Sequence, residues 1–160
     1  MKILVDADSC PKEVRDLVIR AAERTGISAV FAANRMIPGI EGKPVRMELC
    51  PPGEGKADDR IVSLAEPGDL VLTRDIPLAE RVVKASVTAL DDRGRVFTPE
   101  NIGQALSLRN FTLDLVQNGM DFERDNSYGK KELKRFADSF DRVLTRLVKE
   151  AKEKPRQDKG

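Results

Sequence analysis

Four aspartates stand at corners where predicted strands end or predicted helices begin, and their carboxylates are well placed to do chemistry. They are Asp6, Asp8, Asp58 and Asp75. The first two follow the apolar run at residues 3–5, the third opens a short predicted helix, and the fourth follows the apolar run at residues 70–72. Because Asp6 and Asp8 are two positions apart, an extended backbone would point both carboxylates the same way.

Converging carboxylates favour a divalent cation. Like charges held close together repel one another, and a bound metal ion relieves that repulsion. Mg²⁺ takes one or two protein carboxylates and keeps positions for water and phosphate oxygens, so such a site suits phosphate esters. One ion would lower the pKa of a bound water, and a second would stabilise the leaving oxygen of an in-line displacement. This chemistry requires no histidine.

A simpler role competes with metal binding, because aspartate also caps helices and turns. For Asp8 or Asp59 taken alone, capping is the preferred interpretation. For Asp6, Asp58 and Asp75 taken together, at successive corners of one sheet edge, a shared metal site is preferred.

The composition excludes several other chemistries. The chain of 160 residues has no histidine, which rules out a Ser-His-Asp or Cys-His relay and a histidine-ligated metal. Cys10 and Cys50 are too few for a disulfide framework, so we expect a reducing, cytoplasmic location. The net charge of +1 gives no general basic field and by itself decides neither for nor against nucleic acid. No apolar run approaches the roughly 20 residues that span a bilayer. We therefore expect no association with membranes.

Alternating strands and helices must position the aspartates. Apolar runs predict strands at residues 3–5, 28–32, 45–49, 70–72 and 87–90, with an edge strand at 95–97. Helical spacing predicts helices at residues 11–26, 57–65 and 76–85, after 98–100, around 111–116 and along 133–148, with a loop at 119–129. This order predicts an α/β protein, a three-layer α/β/α fold with a mainly parallel central sheet and C-terminal helices. Ligands of such sheets gather at the carboxyl ends of the strands.

We expect one domain over residues 1–150 and a basic flexible tail over residues 151–160. Residues 130–160 carry 11 Lys and Arg against 6 Asp and Glu. A solvated helix face and a frayed terminus explain this charge most simply, and contact with nucleic acid is the alternative.

Several motifs resemble the YaiI/YqxD family of uncharacterised bacterial proteins. They are VDADSCP at residues 5–11, ADDRI at 57–61, DLVLTRDIPLA at 69–79 and TPENI at 98–102. The resemblance covers roughly residues 1–145. More distantly, the same segments resemble the PIN-like nucleases, with a strand ending in aspartate, an aspartate three residues before a helical aliphatic, and a Thr-x-Asp after a strand. The family resemblance itself confers no established activity.

The PIN-like resemblance implies a ribonuclease-type site that depends on Mg²⁺ or Mn²⁺, with RNA as the substrate. The implied metal ligands are Asp6, Asp58 and Asp75, with Thr73 as a hydroxyl beside them and Asp8 in support. Asp58 is preferred to its neighbour Asp59 because Asp58 has the expected spacing to Ile61. Three basic residues near the predicted corners could engage RNA phosphates, namely Arg35, Lys56 and Arg74.

Two other functions stay open. One is a non-catalytic RNA-binding or regulatory module that uses the basic C-terminal helix. The other is a haloacid-dehalogenase-type phosphomonoesterase with Asp6 as the nucleophile, completed by Thr73, Lys84 and the aspartate pair at 91–92. Only six residues separate Lys84 from Asp91, too few for the helix and strand that normally lie between those groups.

Cys10 is a further candidate nucleophile, because a thiol at a helix N-terminus can have a lowered pKa. The segment from Cys10 to Arg15 is one residue shorter than the Cys-x5-Arg phosphate loop of cysteine phosphatases and has no glycine. A structural role for Cys10 is therefore preferred.

Overall fold

The computed structural model describes residues 1–120 and 127–153. Its strands are β1 (Lys2–Asp6), β2 (Ser28–Ala33), β3 (Val45–Leu49), β4 (Leu70–Leu72), β5 (Thr88–Leu90) and β6 (Val96–Phe97). Its helices are α1 (Lys12–Thr25), α2 (Lys56–Leu64), α3 (Ile76–Lys84), α4 (Ile102–Gln117) and α5 (Lys130–Glu153). Through β5, a helix connects each successive pair of strands except β2 and β3, which a loop joins. Such crossover connections are what parallel strands require.

The six strands form one sheet in the order β3-β2-β1-β4-β5-β6. The first five are parallel, and only the short edge strand β6 runs antiparallel to β5. The prediction of a mainly parallel sheet is confirmed. A two-residue antiparallel edge strand is possible here because a tight turn at residues 91–95 connects it to β5.

Alternating side chains of the central strands build a core on each face of the sheet. Ile3 and Val5 of β1 pack into one core together with residues of α1 and α5. Leu4, between them, packs into the other core with residues of α2, α3 and α4. Because successive strand residues point to opposite faces, a strand buried on both sides must be apolar throughout, as β1 is. The three-layer α/β/α fold is thereby confirmed.

The chain reverses its direction of travel across the sheet between β1 and β4. It moves from β1 outward through β2 to β3, and then returns to place β4 on the other side of β1. Such a reversal opens a crevice beyond the carboxyl ends of the two central strands, where the connecting loops diverge. Asp6 is the last residue of β1, and Thr73 directly follows β4. The fold therefore delivers these two side chains to the crevice.

The segment after β1 differs from its predicted form. Residues 7–9 form a short 3-10 turn, so Asp6 and Asp8 do not share one extended run with parallel side chains. Pro11 is the N-cap of α1 and not its first helical residue. Proline suits both positions because its fixed φ is compatible with the start of a helix.

Two predictions about the C-terminal third are also corrected. The helix after residues 98–100 and the helical segment around 111–116 are one continuous helix, α4. The predicted tail at 151–160 begins too early, because α5 continues through Glu153. Residues 154–160, and residues 121–126 of the predicted loop, lie outside the described residues. Within the part of the chain that the structure describes, no helix is long and apolar enough to cross a bilayer.

Candidate functional site

A cavity of about 450 Å³ at the crevice brings the four predicted aspartates together. Its acidic lining residues come from separate elements. They are the four predicted aspartates, Asp6, Asp8, Asp58 and Asp75, together with Glu54 of the loop before α2, which was not among the predicted site residues. In the folded chain these aspartates thus lie close together at the carboxyl edge of the sheet. The reason is that β1 and β4 are adjacent and parallel, so the segments that follow them emerge side by side.

A short chain of hydrogen bonds fixes Asp6 against Asp75. The buried hydroxyl Oγ1 of Thr73 donates to Oδ2 of Asp6 at 3.0 Å. Oγ1 of Thr73 also accepts a hydrogen bond from the backbone N–H of Asp75, at 3.0 Å. Asp75 is in turn the N-cap of α3, where its Oδ1 accepts the backbone N–H of Leu78 at 3.2 Å. The hydroxyl of Thr73 therefore lies between the carboxylate of Asp6 and the backbone of Asp75.

Asp58 reaches the cavity from the first turn of α2. Ile61, one turn further on, is fully buried in the core, and this anchors the helix face that carries Asp58. Asp59 is exposed and pairs with Arg81, with Nη1 to Oδ1 at 3.0 Å. Of the two adjacent aspartates, Asp58 is thus the one that faces the other carboxylates.

Asp8 has one satisfied oxygen and one unsatisfied oxygen. Its Oδ2 accepts the backbone N–H of Asn34 at 2.9 Å. Its Oδ1 is buried and accepts no hydrogen bond from the described residues. The guanidinium of Arg35 is close by, but its Nε lies 3.9 Å from that oxygen, too far for a hydrogen bond. A buried carboxylate oxygen without a donor is costly, and a cation or water in the cavity would satisfy it.

Crowding of these carboxylates raises their affinity for protons. Burial, followed by the charges of Asp75 and Asp8, raises the pKa of Asp6 in spite of the hydrogen bond from Thr73. Burial, followed by the charges of Asp75 and Asp6, raises the pKa of Asp58 to about 6. A side-chain hydrogen bond between Asp58 and Asp75 acts in the same direction. Asp58 therefore holds a proton more readily than an isolated aspartate does, and that proton offsets part of the repulsion in the metal-free protein.

The donor chemistry of the cluster fits a hard divalent cation. All the side chains are carboxylates, the class of ligand that Mg²⁺ and Mn²⁺ prefer, and Asp8 keeps an unsatisfied oxygen. Within residues 1–120 and 127–153, no three Asp, Glu, Cys or His side chains already form a metal-binding group. The contact between Asp58 and Asp75 is consistent with this, because it joins two candidate ligands to each other.

Replacing Thr73 by valine is expected to destabilise the protein by about 2 kcal/mol, because it leaves Asp6 and the Asp75 N–H without their buried partner. The shape of the side chain is retained, so cavity formation contributes little. Urea denaturation measures the change, and Thr73→Ser, which keeps the hydroxyl, is the matched control. A valine variant as stable as the serine variant would contradict the structural role given to this hydroxyl.

The stability of the metal-free protein is expected to depend on pH through Asp58. The folded protein holds a proton that an unfolded aspartate, with its pKa of about 3.9, has already released. The free energy of unfolding should therefore fall as pH rises between about 4 and 6, by about 1 kcal/mol once solvent screening of this partly exposed group is allowed for. Urea denaturation in EDTA measures the slope. Asp58→Asn should make this slope smaller, and the slope that remains should have the same sign because the pKa of Asp6 is also raised. An unchanged slope would refute the assignment of the pH dependence to Asp58.

The three basic residues predicted to contact phosphate have different surroundings. Arg74 lines a second cavity beside the carboxylates, and its guanidinium is paired with Asp92 through Nε at 3.0 Å and through Nη2. Arg35 lies at the rim near Asp8. Lys56 is exposed at the start of α2 and is not among the lining residues of either cavity.

Two arginines that the sequence did not single out also line the second cavity. Arg95 lies between β5 and β6, and Arg109 lies in the middle of α4. On α4, the residues facing this cavity are spaced by three or four positions, at Ala105, Leu108, Arg109 and Thr112. That spacing reveals a helix face but not what it packs beside, so no sequence signal could have connected it with the aspartates.

The phosphatase and thiol chemistries lose support in the folded structure. Lys84 is the last residue of α3, far along the helix from Asp75 at its start, and it pairs with Glu80. Asp92 is paired with Arg74. Burial raises the pKa of the Cys10 thiol to about 12, so it is not a thiolate at neutral pH.

Comparisons with known proteins agree with the motifs. The sequence model of the uncharacterised YaiI/YqxD family matches residues 4–146. A UPF0178 protein of Treponema pallidum (strain Nichols) is 45% identical over 152 residues, which cover 95% of this chain and 86% of the relative. A UPF0178 protein of Myxococcus xanthus (strain DK1622) is 43% identical over 149 residues, which cover 93% of this chain and 97% of the relative. No solved structure matches the chain. The chain belongs to the uncharacterised YaiI/YqxD family.

Proposed function

We propose that this protein is a divalent-metal-dependent ribonuclease that hydrolyses RNA phosphodiesters at its carboxylate cluster. The observation that carries the proposal is the convergence of Asp6, Asp58 and Asp75 from three elements in one cavity at the reversal point of the sheet. Burial, and after it the charges of the neighbouring aspartates, raises the pKa values of Asp6 and Asp58, a destabilising arrangement that a structural role does not require. A bound cation would remove this cost, since it replaces repulsion with attraction.

The residues of the chain would hold and orient the reacting groups. Asp6, Asp58 and Asp75 would hold Mg²⁺ or Mn²⁺, with Asp8 in support. Thr73 holds the carboxylate of Asp6 through one hydrogen bond and the backbone of Asp75 through another. When bound, the metal supplies a water of lowered pKa and charge stabilisation for the phosphoryl oxygens.

RNA as the substrate is supported by the distant resemblance to PIN-like nucleases and by the arginines beside the cluster. The second cavity, lined by Arg74, Arg95 and Arg109, also includes Asp6 and Asp75 in its lining. Guanidinium groups bind phosphate oxygens in two-point contacts, so this arrangement places phosphate-binding groups next to the proposed metal ligands.

The test is cleavage of a labelled single-stranded RNA by the purified protein in Mn²⁺, in Mg²⁺ and in EDTA. We expect cleavage with either metal and none in EDTA. Calorimetry should record Mn²⁺ binding under the same conditions. Absence of cleavage with both metals, over a range of RNA lengths, would reject the ribonuclease function.

A second candidate is a non-catalytic RNA-binding module of the same fold. It is favoured by the absence, among the described residues, of an already formed group of three metal ligands. Deleting residues 130–160 does not test it, because Phe136 and Leu144 of α5 are buried in the core and the deletion would unfold the protein. Charge substitutions at the exposed Lys131 and Lys134 test the basic helix instead. Under this candidate, RNA binding weakens in those variants while no RNA is cleaved.

A further inference from the structure

A cavity of about 650 Å³ adjoins the carboxylate cluster on the side of α4, and we propose that it binds the sugar-phosphate backbone of single-stranded RNA next to the cleaved bond. We call it the arginine groove, after its residues Arg74, Arg95 and Arg109. The position of the cleaved bond rests on the proposed function. The binding of RNA in the groove does not, and it can be measured without any cleavage.

The groove is continuous with the proposed site. Asp6, Asp75 and Arg109 line both the groove and the cavity that holds the four aspartates. Arg109 thus lies at the boundary between the two cavities. If a polynucleotide binds the carboxylate cluster through one phosphate, its next phosphates lie either in this groove or on the opposite side of the cluster. Of the residues that the structure describes, three guanidinium groups line the groove, whereas the cavity of the four aspartates has only Arg109.

Two of the three arginines of the groove have no ion-pair partner in the part of the chain that the structure describes. Arg74 is paired with Asp92, whereas among the described residues neither Arg95 nor Arg109 has a carboxylate within ion-pair distance. Arg109 is half-buried, and its guanidinium donates to the neutral amide oxygen of Asn110 at 3.3 Å. A partly buried guanidinium without a carboxylate is costly, and an anionic ligand would lower that cost.

Two arginines of the groove are held in place before any ligand binds. Asp92 fixes the guanidinium of Arg74 through two hydrogen bonds. The guanidinium of Arg95 lies over the ring of Phe97, 5.2 Å from its centroid. Ordering these side chains in advance reduces the entropy lost when a phosphate binds.

An apolar wall accompanies the arginines and favours a single strand over a duplex. Ile76, Ala105 and Leu108 line the groove, and Leu108 is 61% exposed. Phe111, three residues further along α4, is 59% exposed. Exposed apolar and aromatic side chains beside guanidinium groups can contact the faces of unstacked bases, which a duplex keeps buried.

The test is binding of a fluorescein-labelled single-stranded RNA, followed by fluorescence anisotropy in EDTA at several salt concentrations. We expect Arg95→Gln/Arg109→Gln to bind at least about tenfold more weakly and to show a salt slope smaller by about 1.4, because each phosphate contact on a single strand contributes about 0.7. Arg20→Gln, at an exposed arginine of α1 that lines neither cavity, is the matched control and should bind like the wild type.

Substitution of the carboxylates separates this inference from the proposed function. In EDTA, Asp6→Asn/Asp75→Asn should bind RNA as tightly as the wild type or more tightly, because it removes negative charge from the walls shared with the groove. If RNA binding depends on Arg95 and Arg109 but no RNA is cleaved, the ribonuclease function is rejected and RNA binding in the arginine groove is supported. Wild-type affinity and slope in Arg95→Gln/Arg109→Gln would reject the groove, whether or not RNA is cleaved. Equal competition by poly-glutamate would also overturn it, since the occupant would then be an acidic protein segment.

Discussion

Asp6→Asn/Asp75→Asn is expected to reduce metal-dependent RNA cleavage by about 10³-fold, because stabilisation of the transition state by a bound metal amounts to several kcal/mol. Both residues line the cavity of the carboxylate cluster, and each substitution removes a negative oxygen from it. The measurement is the initial rate of cleavage of labelled RNA at saturating Mn²⁺. Calorimetry on the same variant should show the loss of Mn²⁺ binding.

The double variant should lose activity without losing its fold. An asparagine at position 6 can still accept the hydroxyl of Thr73, and one at position 75 can still cap α3. Removing two crowded carboxylates also relieves repulsion, so the metal-free variant should be at least as stable as the wild type. Asp59→Asn is the matched control, since Asp59 adjoins Asp58 but points to Arg81, and it should cleave at the wild-type rate. Equal cleavage by the double variant would remove the cluster from the reaction.

Gly94→Ala is expected to destabilise the protein by about 3 kcal/mol, the largest effect on stability that we predict. Gly94 has φ +87°, and a Cβ there would lie 2.5 Å from the carbonyl oxygen of Arg135 and 2.9 Å from Oγ of Ser139. The left-handed backbone costs about 1 kcal/mol for alanine, and forcing α5 away adds roughly 1–3 kcal/mol. The hydrogen bond from Ser139 Oγ to the Gly94 carbonyl, 2.7 Å, would be disturbed as well.

Gly26→Ala is the matched control for this prediction. Gly26 ends α1 with φ +74°, and a Cβ there would have no atom within 4 Å. The control should therefore lose only about 1 kcal/mol, the conformational part of the effect. Urea denaturation of the two variants isolates the contribution of the contact with α5. If both variants lose the same free energy of unfolding, contact with α5 does not contribute to the effect at Gly94.

The turn at Gly94 also connects α5 with the candidate site. Asp92, two residues earlier, holds Arg74 of the arginine groove. The hydroxyl of Tyr128, just before α5, donates to the Asp92 carbonyl at 2.6 Å. Phe136 of α5 stacks on Phe140 with ring centroids 5.2 Å apart and lines the small space behind Asp6 and Cys10. Helix α5 thus supports the back of the site without entering it.

The order of elements and the place of the aspartates could be predicted from the sequence, because both depend on local patterns. A run that is apolar on both faces, such as residues 3–5, can only be a strand buried in the middle of a layered sheet. An aspartate directly after such a run must lie at its carboxyl end. The choice of Asp58 over Asp59 came from the spacing to Ile61 that the PIN-like resemblance implies. In the structure Asp58 lines the cavity and Asp59 pairs with Arg81.

Other features required the tertiary structure, because they depend on contacts between distant residues. The 3-10 turn at residues 7–9 separates the directions of Asp6 and Asp8, and no local pattern in an Asp-x-Asp motif distinguishes that turn from extended backbone. The raised pKa of Asp58 depends on how closely α2 approaches the start of α3. Arg109 reaches the site because α4 packs beside α3, and Arg95 reaches it from the turn between β5 and β6.

A layered α/β fold with acidic residues at one edge of the sheet is predictable from the sequence alone. The reason is that the period of apolar side chains distinguishes strands from helices wherever they lie. Which charged side chains meet at that edge depends on the tertiary structure. Packing of α4 and of the turn after β5 beside β4 places guanidinium groups next to carboxylates that are far from them in sequence. The proposal of a phosphodiester substrate rests on that juxtaposition of crowded carboxylates and arginines, which long-range packing sets.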